Sequence, residues 1–193
     1  MNGSPDRKRT GRLQLLFISA VFVVPLLAAI FMYYGGNALW PQNRSNHGEL
    51  LTPIANLNEL LGDSEFTEKI ADYWALVYLH TEPCDDSCMD ALYKQRQMRL
   101  MLGNDMNRVL RVLLHGPEAP DTLLLADRYA GLIVLHDRAA SQILMAAHEP
   151  DRAAGGYYLI DPLGNLVMYF PTGITPRDLV DDVLHLLKLS SIG

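Results

Sequence analysis

The segment Leu13 to Tyr34 constrains this chain more than any other. It holds 22 consecutive residues without a charge, and only Gln14 and Ser19 are clearly polar. At about 1.5 Å of rise per residue, a helix of that length crosses a hydrocarbon layer about 30 Å thick. Pro25 lies near its middle, a position that membrane helices tolerate with a kink. Tyr33, Tyr34 and Trp40 suit the far interface. A cleaved signal peptide would need a small-x-small site, which Gly35 to Leu39 do not offer. The reading is an uncleaved transmembrane helix over residues 13–34. Arg7, Lys8, Arg9 and Arg12 precede it, and the next charge is Arg44. Positive charge stays on the cytoplasmic side, so residues 1–12 are expected as a cytoplasmic tail. All that follows the helix is then extracytoplasmic. With no transit-peptide pattern, the default is a bacterial inner membrane facing the periplasm.

Residues 35–53 are rich in Gly, Asn, Pro and Ser and read as a linker, so the compact domain is expected over 54–193. The formal net charge of −6 carries no basic stripe in the exported part, which argues against nucleic acid as a partner. Within the domain, Trp74 to Leu79 is a nearly continuous apolar run, as in a central strand buried on both faces. Met89 to about Leu102 reads as a helix and Arg108 to Leu114 as a second strand. Asp121 to Tyr129 and Ala139 to Ala147 read as helices, while Leu132 to Leu135 is ambiguous. Tyr157–Ile160 and Leu166–Phe170 flank the turn Asp161-Pro-Leu-Gly-Asn165 and read as a hairpin. The last helix has Thr175 at its N-cap, Pro176 at N1 and Asp178 at N3, with Ile174 and Leu179 placed as a hydrophobic staple. This order implies an α/β domain with a central mixed sheet covered by helices.

The chain has two cysteines, and they sit together as Cys84-Asp-Asp-Ser-Cys88 directly after the first strand. Outside the cytoplasm such a pair admits three uses: thiol–disulfide exchange, holding a soft metal ion such as Cu(I), or bracing a loop. A helix starting at the pair lowers a thiol pKa through its free N–H groups, whereas Asp85 and Asp86 raise it. Two thiolates leave a metal site incomplete. His80, His115, His136 and His148 are the candidate third ligands, with His136 and His148 placed best and His80 also able to tune a thiolate. Met89 reads as a core residue rather than a thioether ligand. Trp74 reads as a core aromatic, and Gly155-Gly156 as backbone free to approach its neighbours closely.

The N-terminal anchor, Trp74-Ala-Leu-Val-Tyr-Leu, Cys84-x-x-x-Cys88, Asp121-Thr and Tyr158-Leu-Ile-Asp-Pro-Leu-Gly164 together resemble the Sco/SenC family of membrane-anchored cytochrome oxidase assembly proteins. The resemblance runs through roughly residues 55 to 190 and implies a thioredoxin-like fold. It implies an accessory role in cytochrome c oxidase biogenesis, with an oxidase subunit or another assembly factor as partner. It also implies copper bound by Cys84, Cys88 and a distant histidine, or thiols kept reduced by the same pair. The family histidine usually stands about five residues before the tyrosine of the YLIDPxG segment; here that place holds Ala153, and His148 is the nearest histidine upstream. The alternatives from the residues themselves are a general membrane-tethered thiol–disulfide oxidoreductase and a non-catalytic binding module with a structural disulfide.

Overall fold

The computed structural model describes the backbone of residues 6–34, 46–147 and 155–190. The chain divides into two compact units, Met1–Arg44 and Ser45–Gly193. In the first, helix α1 runs from Asp6 to Tyr34, through Pro25. Leu15, Phe17, Ile18, Val21, Phe22 and Phe31 are exposed along it. Among the described residues no helix is long and apolar enough to cross a membrane.

The second unit is built on one six-stranded mixed sheet. Its strands are β1 (Glu49–Asn56), β2 (Trp74–His80), β3 (Val109–His115), β4 (Leu132–Leu135), β5 (Gly156–Ile160) and β6 (Asn165–Phe170). They lie in the order β1-β6-β5-β2-β3-β4. The pairs β2–β3 and β3–β4 are parallel, while β2–β5, β5–β6 and β6–β1 are antiparallel. The mixed sheet flanked by helices is the thioredoxin-like α/β architecture that the sequence implies.

Alternation along β2 explains why its sequence is apolar throughout. Trp74, Leu76 and Tyr78 enter one core with α4 (Asp86–Met101) and α7 (Pro176–Leu189). Ala75, Val77 and Leu79 enter a second core with α2 (Leu57–Leu61), α3 (Glu65–Ile70) and α6 (Arg138–Ala146). Successive side chains of a strand point to opposite faces, so a strand covered on both sides has no polar positions left. Helix α5 (Thr122–Arg128) contributes Leu125 to the first core.

The ambiguous segment Leu132–Leu135 is the edge strand β4, parallel to β3 with Leu113 opposite Val134. The hairpin forms as its turn residues suggest. Asp161 accepts at Oδ1 from the N–H groups of Leu163 (2.9 Å) and Asn165 (2.8 Å). The α7 start is capped as expected: Thr175 Oγ1 accepts from Asp178 N at 3.2 Å.

One boundary is corrected. Part of the expected linker over residues 35–53 is strand, because β1 begins at Glu49 and pairs Glu49 with Tyr169 and Leu50 with Met168. The turn-forming composition of that stretch hides an edge strand whose partner lies more than a hundred residues away. Just before the strand, Gly48 N donates a buried hydrogen bond to Asp182 Oδ2 of α7 at 2.7 Å.

Leu76 has no exposed surface and faces α4 and α7. Leu76→Ala is expected to lower the unfolding free energy of the full chain by about 2–5 kcal/mol, the usual cost of a buried leucine cavity. Denaturant midpoints measure this, and a change under about 1 kcal/mol would contradict the packed core described.

Candidate functional site

The parallel strands carry their loops to one end of the sheet, and the cysteine loop leaves β2 at that end. Cys84 and Cys88 are joined as a disulfide with their Cα atoms 5.1 Å apart. Asp85 is the N-cap of α4, so Cys84 precedes the helix and Cys88 lies in its first turn. The Asp85 carboxylate accepts from Cys88 N (3.0 Å) and from Ser87 Oγ (2.6 Å). The cap therefore holds the loop in the geometry that brings the two sulfurs together. Cys88 is 0% exposed, whereas Cys84 is only partly buried. Cys84 is therefore the more exposed residue of the pair.

The base of the loop is aromatic. Tyr78 and Tyr157 face each other across β2 and β5 with ring centroids 5.2 Å apart. The Tyr157 hydroxyl donates to the Ala91 carbonyl (2.8 Å), and the Tyr129 hydroxyl to the Met89 carbonyl (3.0 Å). Two hydroxyls from different parts of the chain thus tie the first turns of α4 to the sheet. Sequence reasoning takes Tyr157 and Tyr129 as element residues only, and nothing in their local pattern signals these bonds.

His80 lies at the end of β2 with Nε2 3.3 Å from the Pro83 carbonyl and Nδ1 3.1 Å from the Tyr78 hydroxyl. A carbonyl only accepts, so Nε2 donates to Pro83, while Nδ1 and the Tyr78 hydroxyl share the second hydrogen bond. Both ring nitrogens are thereby engaged, and His80 braces the segment leading into Cys84. His115 and His136 pair with each other at the ends of β3 and β4, ring centroids 5.3 Å apart. His115 Nδ1 meets the Gly116 carbonyl at 2.6 Å, and His136 Nδ1 the His115 carbonyl at 3.1 Å. His148 and Ala153 lie outside the described residues. Among the described residues, no group of three His, Cys, Asp or Glu side chains could hold a metal ion. Met89 packs partly buried against the core, and Trp74 is buried in it.

The loop is acidic. Glu82, Asp85, Asp86 and Asp90 are all exposed around it, and Asp90 pairs with Lys94 at 2.8 Å. Hydrogen bonds from the Ser87 hydroxyl and the Cys88 N–H hold the Asp85 carboxyl below the usual carboxylate range. Asp85 therefore stays ionised beside Cys84. Its charge opposes the helix N-terminus, which alone would stabilise a thiolate. Tyr78 is pushed up to about 12 by burial first, then by the charges of Asp85 and Asp90. Burial also raises Tyr157 and Tyr158.

The family profile described as "Transmembrane-like, thioredoxin-like, C-terminal domain" matches residues 74–190, and "Transmembrane-like, N-terminal domain" matches residues 5–36. The chain belongs to this transmembrane-like, thioredoxin-like family. No curated protein matches the sequence. Among solved structures, apo Sco1 from Thermus thermophilus superposes with a TM-score of 0.54 at 15% identity, covering 76% of this chain and 99% of that one. The crystal structure of yeast Sco1 gives a TM-score of 0.51 at 16% identity, over 74% of this chain and 98% of that one. Yeast Sco1 with copper bound gives 0.51 at 15%, over 75% and 90%. At this identity the likeness is one of fold, and it agrees with the Sco/SenC resemblance of the sequence. The membrane-like character of this transmembrane-like, thioredoxin-like protein rests on the match to residues 5–36.

Two measurements probe the site. Asp85→Asn keeps a capping side chain but deletes its charge, so the reduced Cys84 thiol should be alkylated roughly three- to tenfold faster at neutral pH. An unchanged rate would mean that Asp85 does not act on the sulfur. The raised Tyr78 pKa favours the neutral phenol in the folded state. Its contribution to stability is complete below an unfolded-state pKa of about 10 and is lost as pH rises towards about 12. Denaturant midpoints should fall across that window. Tyr78→Phe should make the fall shallower without abolishing it, since Tyr157 and Tyr158 act in the same direction; an equally steep fall would contradict the role given to Tyr78.

Proposed function

We propose that this protein is a membrane-anchored thiol reductant serving cytochrome c oxidase biogenesis, acting through Cys84 and Cys88. The observation that carries the reading is the unequal burial of the two cysteines. Cys84 is partly exposed ahead of the helix, and Cys88 is buried in the first turn of α4. In the reduced protein the Cys84 thiolate attacks a disulfide of the client and forms a mixed disulfide. Cys88 then displaces the client as a dithiol, leaving the Cys84–Cys88 disulfide. Two electrons pass to the client, and an upstream dithiol donor must return them. The acidic surroundings support this direction. A thiolate destabilised by Asp85 makes the reduced pair a better electron donor, just as stabilised thiolates make strong oxidants.

The oxidase role and location rest on the Sco/SenC resemblance and on the match of residues 5–36 to a transmembrane-like domain. We place the uncharged run Leu13–Tyr34 across a bacterial inner membrane on its sequence and on the match of residues 5–36, with the N-terminus cytoplasmic and the sheet domain in the periplasm. The basic residues Arg7 to Arg12 and the uncharged run that follows support this orientation.

Copper handling is the second reading. The two reduced sulfurs leave one short loop and can both face a Cu(I) cargo. His148, the third ligand that this reading would use, lies outside the described residues.

The test uses the full chain in its membrane. Cys88→Ser should accumulate mixed disulfides with an oxidase subunit or assembly factor through Cys84, whereas Cys84→Ser should not. Replacing both cysteines should lower oxidase copper content severalfold at unchanged expression. Normal copper loading in the double variant would sink the oxidase role. Mixed disulfides spread over many unrelated proteins would point to a general oxidoreductase, and none at all to a structural disulfide. Tight Cu(I) binding by the reduced protein, lost with the cysteines, would favour the copper reading.

A further inference from the structure

Arg111 occupies the middle of β3, opposite Leu76 of β2 and Leu132 of β4. It is only 3% exposed. A guanidinium remains protonated at any accessible pH, so the fold encloses a permanent positive charge. Its Nη2 donates to the Ala130 carbonyl at 2.6 Å. Its Nε and Nη1 are buried without a hydrogen-bond partner. Among the described residues no carboxylate pairs with it. An unpaired buried charge is among the most costly features a folded chain can carry.

The surroundings add to the charge. Arg111 lines a cleft of about 210 Å³ together with Arg96 and Arg99 of α4 and Arg128 of α5, and among the described residues Asp127 is its one lining carboxylate. Burial first, then Arg99 and Arg96, lower the Arg111 pKa. Arg99 is held in place, with Nε donating to the Val109 carbonyl at 3.1 Å. Four guanidinium groups against one carboxylate concentrate positive charge in a protein whose formal net charge is −6. Solvated arginines on helix surfaces are ordinary. Arg111 differs from them: it is buried, it lines the same cleft, and its Nε and Nη1 have no partner among the described residues.

We propose that this cleft binds a phosphate-class oxyanion, either free phosphate or the phosphate of an anionic lipid headgroup. Several guanidinium groups can share the oxygens of such an ion through charge-assisted hydrogen bonds. The bound anion supplies the counter-charge that the chain withholds from Arg111. The site is separate from the cysteine pair, so its occupancy is independent of the redox reading.

The experiment uses the full chain in non-ionic detergent. Inorganic phosphate is titrated against sodium chloride at matched ionic strength, with melting temperature and calorimetric Kd as readouts. Phosphate should raise the melting temperature where chloride does not. Arg96→Ala combined with Arg128→Ala, both on the surface, should weaken the Kd at least tenfold. Arg111→Met should abolish the effect while leaving the phosphate-free protein at least as stable, since a buried charge is replaced by hydrocarbon. Should Arg111→Met not fold, the surface double variant decides alone. A second arm places the protein in bilayers of phosphatidylcholine with and without phosphatidylglycerol and follows hydrogen exchange at residues 96–100 and 127–131. Protection only with phosphatidylglycerol assigns a lipid headgroup, and protection only by added phosphate assigns the free ion. Equal responses to phosphate and chloride with no lipid-dependent protection, or responses unchanged in the double arginine variant, would overturn the proposal.

Discussion

The structure depends on the burial of β2 on both faces. Trp74, Leu76 and Tyr78 pack beneath α4 and α7, and Ala75, Val77 and Leu79 pack over α2, α3 and α6. One strand thus joins two cores, with β3 on one side and β5 on the other. Everything at the site inherits its position from this strand. His80 is its last residue, the cysteine loop is its continuation, and α4, which covers it, carries Cys88. The tyrosine hydroxyls of Tyr157 and Tyr129 then fix α4 against the sheet.

The chemistry of the pair follows from two opposed local fields. The start of α4 offers unpaired N–H groups that favour a thiolate, while Asp85, held ionised by its own capping bonds, disfavours it. The same carboxylate that shapes the loop therefore moderates the sulfur it positions. The two cysteines are also unequally buried, Cys88 fully and Cys84 only in part.

Much of the fold was legible because its signals are local. The apolar run of β2, the hairpin around Asp161 and the capped start of α7 each follow from residues close in sequence. The edge strands were harder. Leu132 to Leu135 is too short for its periodicity to decide, and pairing with β3 makes it a strand. Residues 49–53 close a stretch whose overall composition reads as a tether, and they become strand through β6, far along the chain. Of the site, Cys84, Cys88 and the opposing effects of Asp85 and the α4 start could be read directly. The bracing of His80 and the pairing of His115 with His136 could not, since each depends on where strand ends meet in space.

By itself the sequence determined an uncharged N-terminal segment, a central apolar strand and a cysteine pair at the start of a helix, because each is a contiguous pattern with its own physical meaning. The tertiary structure alone decided which cysteine is the more exposed and which histidine nitrogens are engaged. It also decided that Arg111, set in the otherwise apolar run of β3, is a buried charge lining one cleft with three more arginines. Exposure and electrostatic environment are set by neighbours distant in sequence, and no local pattern encodes them.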